Sequence, residues 1–222
     1  TSLTQHNQDG IITGSGVRRT NMNTKINIQI ADNVTLLINP RFTYRRDLGA
    51  GASGIGTNGL IGVLNYKPTN GLREFTSTDD EWKDFDVERY WKLASPLDDI
   101  NQNYNLKHSY SFTNQASITW EIIKGLTFRS DIAQFWSFND QNRYYGYLTD
   151  TAAKHNNQPV AQITNTHGFK YTWTNTLNYA FTHKENHNFS FLLGQEIQHS
   201  QTKTNYQSSR YFPQEIDPRI AF

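Results

Sequence analysis

Apolar and polar residues alternate strictly along several stretches of this chain. In Thr20–Ile30 the even positions are Thr20, Met22, Thr24, Ile26, Ile28 and Ile30, and the odd ones are Asn21, Asn23, Lys25, Asn27 and Gln29. The next stretch sets Leu36, Ile38, Phe42 and Tyr44 against Asn39, Arg41, Thr43 and Arg45. Successive strand side chains point to opposite faces, so each stretch is a ribbon with one oily and one wet side. Repetition of that pattern in a chain with few fully apolar segments predicts the wall of a transmembrane β-barrel.

About seven strands can be placed this way. They are Thr1–Gln8, Val17–Ala31, Val34–Arg46, Ser109–Glu121, Leu126–Phe138, Gly168–Phe181 and Asn188–Gln201. Asp32-Asn33 is expected to turn tightly, because both residues tolerate left-handed backbone and bond to it locally. Ile122-Ile123-Lys124-Gly125 and Thr182–His187 form the other short connections. Long outer loops are expected at about 47–108 and 139–167, so short and long connections alternate. Outer-membrane barrels show that asymmetry, with short turns on the periplasmic side and long loops outside. Aromatics near the strand ends (Trp120 and Phe128, Tyr179 and Phe181, Trp136 and Phe138, Phe169 and Tyr171) fall where interface belts belong. The expected fold is all-β: an antiparallel up-and-down meander, part of the wall of a large barrel.

Composition agrees. The hydrophobic fraction is 36% and mean hydropathy −0.73, low for filling a soluble core from 222 residues, while the aromatic fraction reaches 14%. Net charge is +1, which gives no electrostatic case for nucleic acid. There is no cysteine, so neither a disulfide framework nor a thiolate metal site is expected. No apolar run approaches the roughly 20 residues of a spanning helix. The chain opens without a signal peptide and in the middle of a strand pattern, and is expected to be a fragment, residues 1–222, of a barrel domain.

The matching residues now carry a resemblance. Asn7-Gln8-Asp9-Gly10-Ile11-Ile12, Arg18-Arg19-Thr20-Asn21, Ile123-Lys124-Gly125-Leu126-Thr127-Phe128, Trp173-Thr174-Asn175-Thr176-Leu177-Asn178-Tyr179, His187-Asn188 and Leu192-Leu193-Gly194-Gln195-Glu196 follow one another in order and spacing. In this the chain resembles the middle of the barrel in SusC/RagA-type TonB-dependent outer-membrane transporters of the Bacteroidetes. The resemblance implies a 22-stranded barrel with an N-terminal plug, a SusD-like lipoprotein lid and coupling to TonB through the plug, which is absent here.

Candidate chemistry is sparse. Gly49-Ala50-Gly51-Ala52-Ser53-Gly54 spells GxGxxG, but further glycines at 56, 59 and 62 forbid the helix that a dinucleotide site needs. His183 and His187 are four apart yet straddle a turn, not a helix face. The acidic run Asp79–Asp86 lacks the glycine and spacing of an EF-hand and reads as a solvated loop. No nucleophile set stands out, and no catalytic residue, cofactor or metal ligand is assigned. Trp82, Asp84, Arg89, Tyr90, Trp91, Asn101 and Tyr104 are the candidate substrate or lid contacts, since aromatic faces stack on sugars while Asn, Asp and Arg bind hydroxyls. The expected function is part of an importer of nutrients such as oligosaccharides or oligopeptides, integral to the outer membrane. The alternative is a soluble β-rich glycan-binding or adhesion module.

Overall fold

A computed structural model of the chain describes residues 1–11, 14–49, 100–156, 158–184, 187–210, 212 and 222. The strands are β1 (Ser2–Asp9), β2 (Gly16–Asn23), β3 (Ile26–Ala31), β4 (Val34–Leu48), β5 (Asn103–Ile123), β6 (Leu126–Tyr145), β7 (Val160–His183) and β8 (His187–Arg210); a single helical turn, α1 (Asp150–Ala153), precedes β7. They form one antiparallel sheet in the order β1-β2-β4-β5-β6-β7-β8, with β3 also on β4. Apart from β2 and β3, which both pair with β4, each strand pairs with its chain neighbours, the up-and-down meander predicted. Thr-, aromatic- and β-branched-rich segments such as Tyr171–Leu177 suit this pleated surface.

The predicted strand Val17–Ala31 is instead two, and Pro40 explains the break. Asn23 faces Arg41 and Ile26 faces Ile38 in one unbroken register, so β2 and β3 lie in line along β4. Between them Thr24 N–H donates to the Pro40 carbonyl at 3.1 Å. Proline has no N–H to return the bond. With its amide turned to suit its neighbours, Asn39 supplies the missing donor, its NH2 lying 3.1 Å from the Thr24 carbonyl. A side chain thus replaces one rung of the ladder.

Several strands also outrun their predicted ends. β5 begins at Asn103 and not Ser109, β6 continues to Tyr145 and not Phe138, β7 starts at Val160 and not Gly168, and β8 reaches Arg210 and not Gln201. The second long connection is therefore residues 146–159, shorter than 139–167; of the first, residues 50–99 lie outside the described residues. Alternation fades beyond Phe138 because both faces become polar there, although the hydrogen-bond ladder continues.

The short turns share one rim. The Asn33 side chain donates to the Glu121 carbonyl, and its own carbonyl accepts from Glu121 N–H, both at 2.9 Å. Beside it, Ala180 N–H donates to the Gly125 carbonyl at 2.8 Å. Gly125 has φ +85 and packs so closely on the Ala180 carbonyl that a Cβ has no room. Lys184 closes the third turn with φ 50. Gln158 lies at the opposite rim, while Gly51 and Trp82 lie outside the described residues.

Among the described residues no second sheet covers either face. The sheet is one layer thick, and Ile26, Ile28, Phe42, Trp120, Trp173 and Leu193 stand exposed. A soluble sandwich would enclose such residues between its layers.

Candidate functional site

Cross-strand register sorts the wall into rows. Ile26, Ile38, Ala116, Ile132, Trp173 and Ile197 are successive partners on one face. Below them run Val34, Trp120, Phe128, Leu177 and Leu193; above them, Phe42, Phe112, Trp136 and Phe169. The next row up is Tyr44, Tyr110, Phe138 and His167. Between the rows of Phe128 and Trp136 no Asp, Glu, Lys or Arg stands on this face among the described residues. Uncharged polar residues do enter, including Asn114 and Gln134.

Aromatic contacts edge this band. Phe112, Trp136, Phe169, Tyr171 and His199 follow one another with ring centroids 5.3–5.9 Å apart. Near the short-turn rim, Tyr179, Phe181, Phe189 and Phe191 make a second group, at 5.2–6.3 Å. Phe128 and Phe138 are about ten steps of ~3.4 Å apart, which at a strand tilt of ~40° is a height of ~26 Å. That equals the apolar band of transmembrane barrels.

The other face differs at the same heights. It carries Arg41, Arg129, Asp131, Lys170 and Glu196, interspersed with threonines. Arg129 forms a forked pair with Asp131 at 2.8 and 2.9 Å. The Thr174 hydroxyl donates to Glu196 at 3.1 Å. One surface is mostly apolar and the other carries charge and ion pairing.

Beyond the band, Asn139–Tyr145 stays paired with Val160–Thr166, roughly 18 Å of further wall at that tilt. The most buried residues gather here: Tyr144, Thr149, Ala152, Pro159, Val160 and Ala161. Thr149 organises the connection: its hydroxyl donates to the Gly146 carbonyl at 2.7 Å and accepts from Ala152 N–H at 3.2 Å, capping α1. Gly146 N–H donates to the Gln102 carbonyl at 3.0 Å, and Leu148 N–H to the Gln102 side chain at 2.8 Å. The two long connections meet at Gln102.

Of the predicted contact residues, Asn101 is exposed beside Gln102, and Tyr104 stacks on Phe222 with centroids 6.3 Å apart. Tyr104 is the cross-strand partner of Tyr144, whose ring meets Phe212 at 6.1 Å. Trp82, Asp84, Arg89, Tyr90 and Trp91 lie outside the described residues, as does the acidic run 79–86. Sequence reading missed the organising role of Thr149, although threonine just ahead of a helical turn is a legible cap signal. Gly49, first of the GxGxxG glycines, ends β4 with φ +88 and exchanges hydrogen bonds with Asn105 at 2.9 and 3.0 Å; Ala50–Gly54 lie outside the described residues.

No protein-family model matches this chain, and no curated protein matches it. Solved structures do. The RagAB peptide importer in its "closed-closed" state superposes with TM-score 0.64 at 13% identity, covering 90% of this chain and 22% of that one. Its "open-open" state gives 0.62 at 14% identity, covering 89% and 22%. A further structure of the RagAB peptide transporter gives 0.64 at 13%, covering 90% and 22%. The chain has the fold of a stretch of that transporter. It spans 22% of the length of the chains it matches.

Proposed function

We propose that this chain is a wall segment of an outer-membrane, energy-coupled nutrient importer. The carrying observation is the band on one face: ~26 Å tall, free of full charges between the rows of Phe128 and Trp136 among the described residues, edged by aromatics and covered by no second layer of described residues. Lipid is the medium that such a face requires, because burying the charges of the opposite face in hydrocarbon would cost several kcal/mol each. The polar face then lines a lumen, where Arg129–Asp131 and Thr174–Glu196 meet water or a plug. Likeness to a peptide importer supports oligopeptides as a cargo class, beside oligosaccharides. The same likeness supports a SusD-like lipoprotein lid and TonB coupling through a plug elsewhere in the full-length protein. Trp82, Asp84, Arg89, Tyr90, Trp91, Asn101 and Tyr104 are the proposed contacts for substrate or lid.

The test uses the full-length protein in cells. It should fractionate with the outer membrane, resist carbonate extraction and require amphiphile once purified. Uptake of a labelled oligopeptide or oligosaccharide should stop when the proton gradient is collapsed. Monodisperse behaviour in plain buffer would sink the wall reading. Uptake indifferent to the gradient would remove the energy coupling.

A further inference from the structure

We infer that the outer edge of the apolar face carries a site for the phosphate of an anionic lipid headgroup, built on Arg18 and Arg46. The inference rests on the membrane-wall reading. Arg18 and Arg46 are direct partners across β2 and β4, one row beyond the partnered Thr20 and Tyr44. Like charges directly opposite each other on one sheet face repel. Arg18 is exposed, and the Nε of Arg46 is buried with no hydrogen-bond partner.

The adjacent arginine pair shows what is missing. Arg19 and Arg45 are also direct partners, on the polar face. There each guanidinium has an acceptor two residues on: Arg19 Nε donates to Asn21 at 2.8 Å, and Arg45 Nε to Asp47 at 2.7 Å. The equivalent positions for Arg18 and Arg46 are Thr20 and Leu48, and neither is a carboxylate or an amide. Next along the row, the His108 Nδ1 is engaged by the Tyr44 hydroxyl at 2.9 Å. Asp140 lies one strand further and accepts from Asn165 at 2.8 Å. On the other side, Asn7 is the partner of Arg18 across β1 and brings an amide but no charge, so among the described residues the arginine pair is bonded to no anion.

Height and surroundings select the anion. The pair stands about 7 Å along the strand beyond the Tyr44–Tyr110 stack, whose centroids are 5.0 Å apart. Headgroups lie just outside an aromatic belt of this kind. Phosphate matches the forked donors of two guanidinia and cancels their repulsion. A lipid phosphate is favoured over free phosphate because Phe42 and Phe112 continue the apolar face directly beneath, as a track for acyl chains.

The experiment places the full-length protein in phosphatidylcholine nanodiscs and titrates in lipid A carrying phosphate or its dephosphorylated form. Wild type should prefer the phosphorylated lipid about thirtyfold, and Arg18→Gln/Arg46→Gln should abolish the preference. Arg19→Gln/Arg45→Gln, the matched pair on the other face, should keep it. Arg18→Lys/Arg46→Lys, which retains charge without the forked donors, should fall between and provides a reading where the glutamine variant fails to fold. A preference unchanged in both Arg18/Arg46 variants overturns the site, and displacement by inorganic phosphate alone overturns the lipid assignment. Flotation with vesicles reads the wall separately: protein that floats without arginine-dependent preference overturns this inference alone, and protein that does not float overturns both.

Discussion

The middle of the wall and its outer rim are built from the same strands by opposite rules. In the middle, the two faces of β4–β8 differ sharply, and the apolar one stays uncovered: Trp173 and Leu193 are 43% and 71% exposed. At the outer rim the faces are alike in polarity, yet Tyr144, Val160 and Ala161 are 4% exposed or less. The hydrophobic effect acts in both places through different partners. In the middle no apolar partner comes from the described residues, and on the proposed reading lipid supplies it. At the rim the connection 146–159 packs back on the strands and makes a small core. Exposed and buried apolar side chains are thus two answers to one requirement.

The largest expected effect probes the middle. Ile132→Arg or Ile28→Arg should cost about 2–4 kcal/mol in reversible unfolding of the full-length protein from lipid vesicles. Phe138→Arg, at the aromatic edge, should cost about 0–1 kcal/mol, and Leu48→Arg, exposed beyond that edge, no more. Arg at Asn27, on the opposite face, should also be mild. Asp131 is a poor control for the polar face, because its pairing with Arg129 would be lost as well. A penalty that ignores position along the strand would remove lipid from the comparison.

Next in size comes the short-turn rim. Gly125→Ala forces a Cβ onto the Ala180 carbonyl at a positive φ and should cost roughly 1–3 kcal/mol. Because the strain sits where β6 and β7 begin to pair, the loss should appear in global unfolding and not as local opening.

At the outer rim, Thr149→Ala removes a cap and should cost about 1 kcal/mol. Here the loss should be local: faster protease cleavage in 146–159 with little change in the wall's unfolding midpoint. A global loss equal to that of Gly125→Ala would show that the rim core and the wall unfold as one unit.

Legibility in the sequence follows the same division. Within the band, alternation gave the right shared face for Ile26, Ile28, Ile38, Phe42, Ile118, Phe128 and Ile132, because the two faces differ in polarity there. From Asn139 to Tyr145 and from Val160 to Thr166 the contrast disappears while pairing continues, so those strands end too early when read by period alone. The rim core was illegible for another reason: Tyr144, Thr149 and Gln102 are brought together by tertiary contact, and no spacing announces it. Among the proposed contacts, only Asn101 and Tyr104 are described residues, and Tyr104 is engaged by Phe222.

The smallest effect concerns the gap between β2 and β3, also unannounced by alternation. Pro40→Ala restores an N–H opposite the Thr24 carbonyl, which now accepts from the Asn39 amide. A backbone rung in the wall should contribute about 0.5–1.5 kcal/mol, but Asn39 already supplies much of it, and losing proline frees the unfolded chain. The net change should be under about 1 kcal/mol. Hydrogen exchange would be the sensitive readout: the new amide at 40 should be protected as strongly as Phe42. Asn39→Ala alone strands the Thr24 carbonyl and should cost about 1–3 kcal/mol, whereas Asn39→Ala combined with Pro40→Ala should recover most of it. If the double variant stays as unstable as Asn39→Ala, the side-chain rung is not what holds β2 and β3 in line.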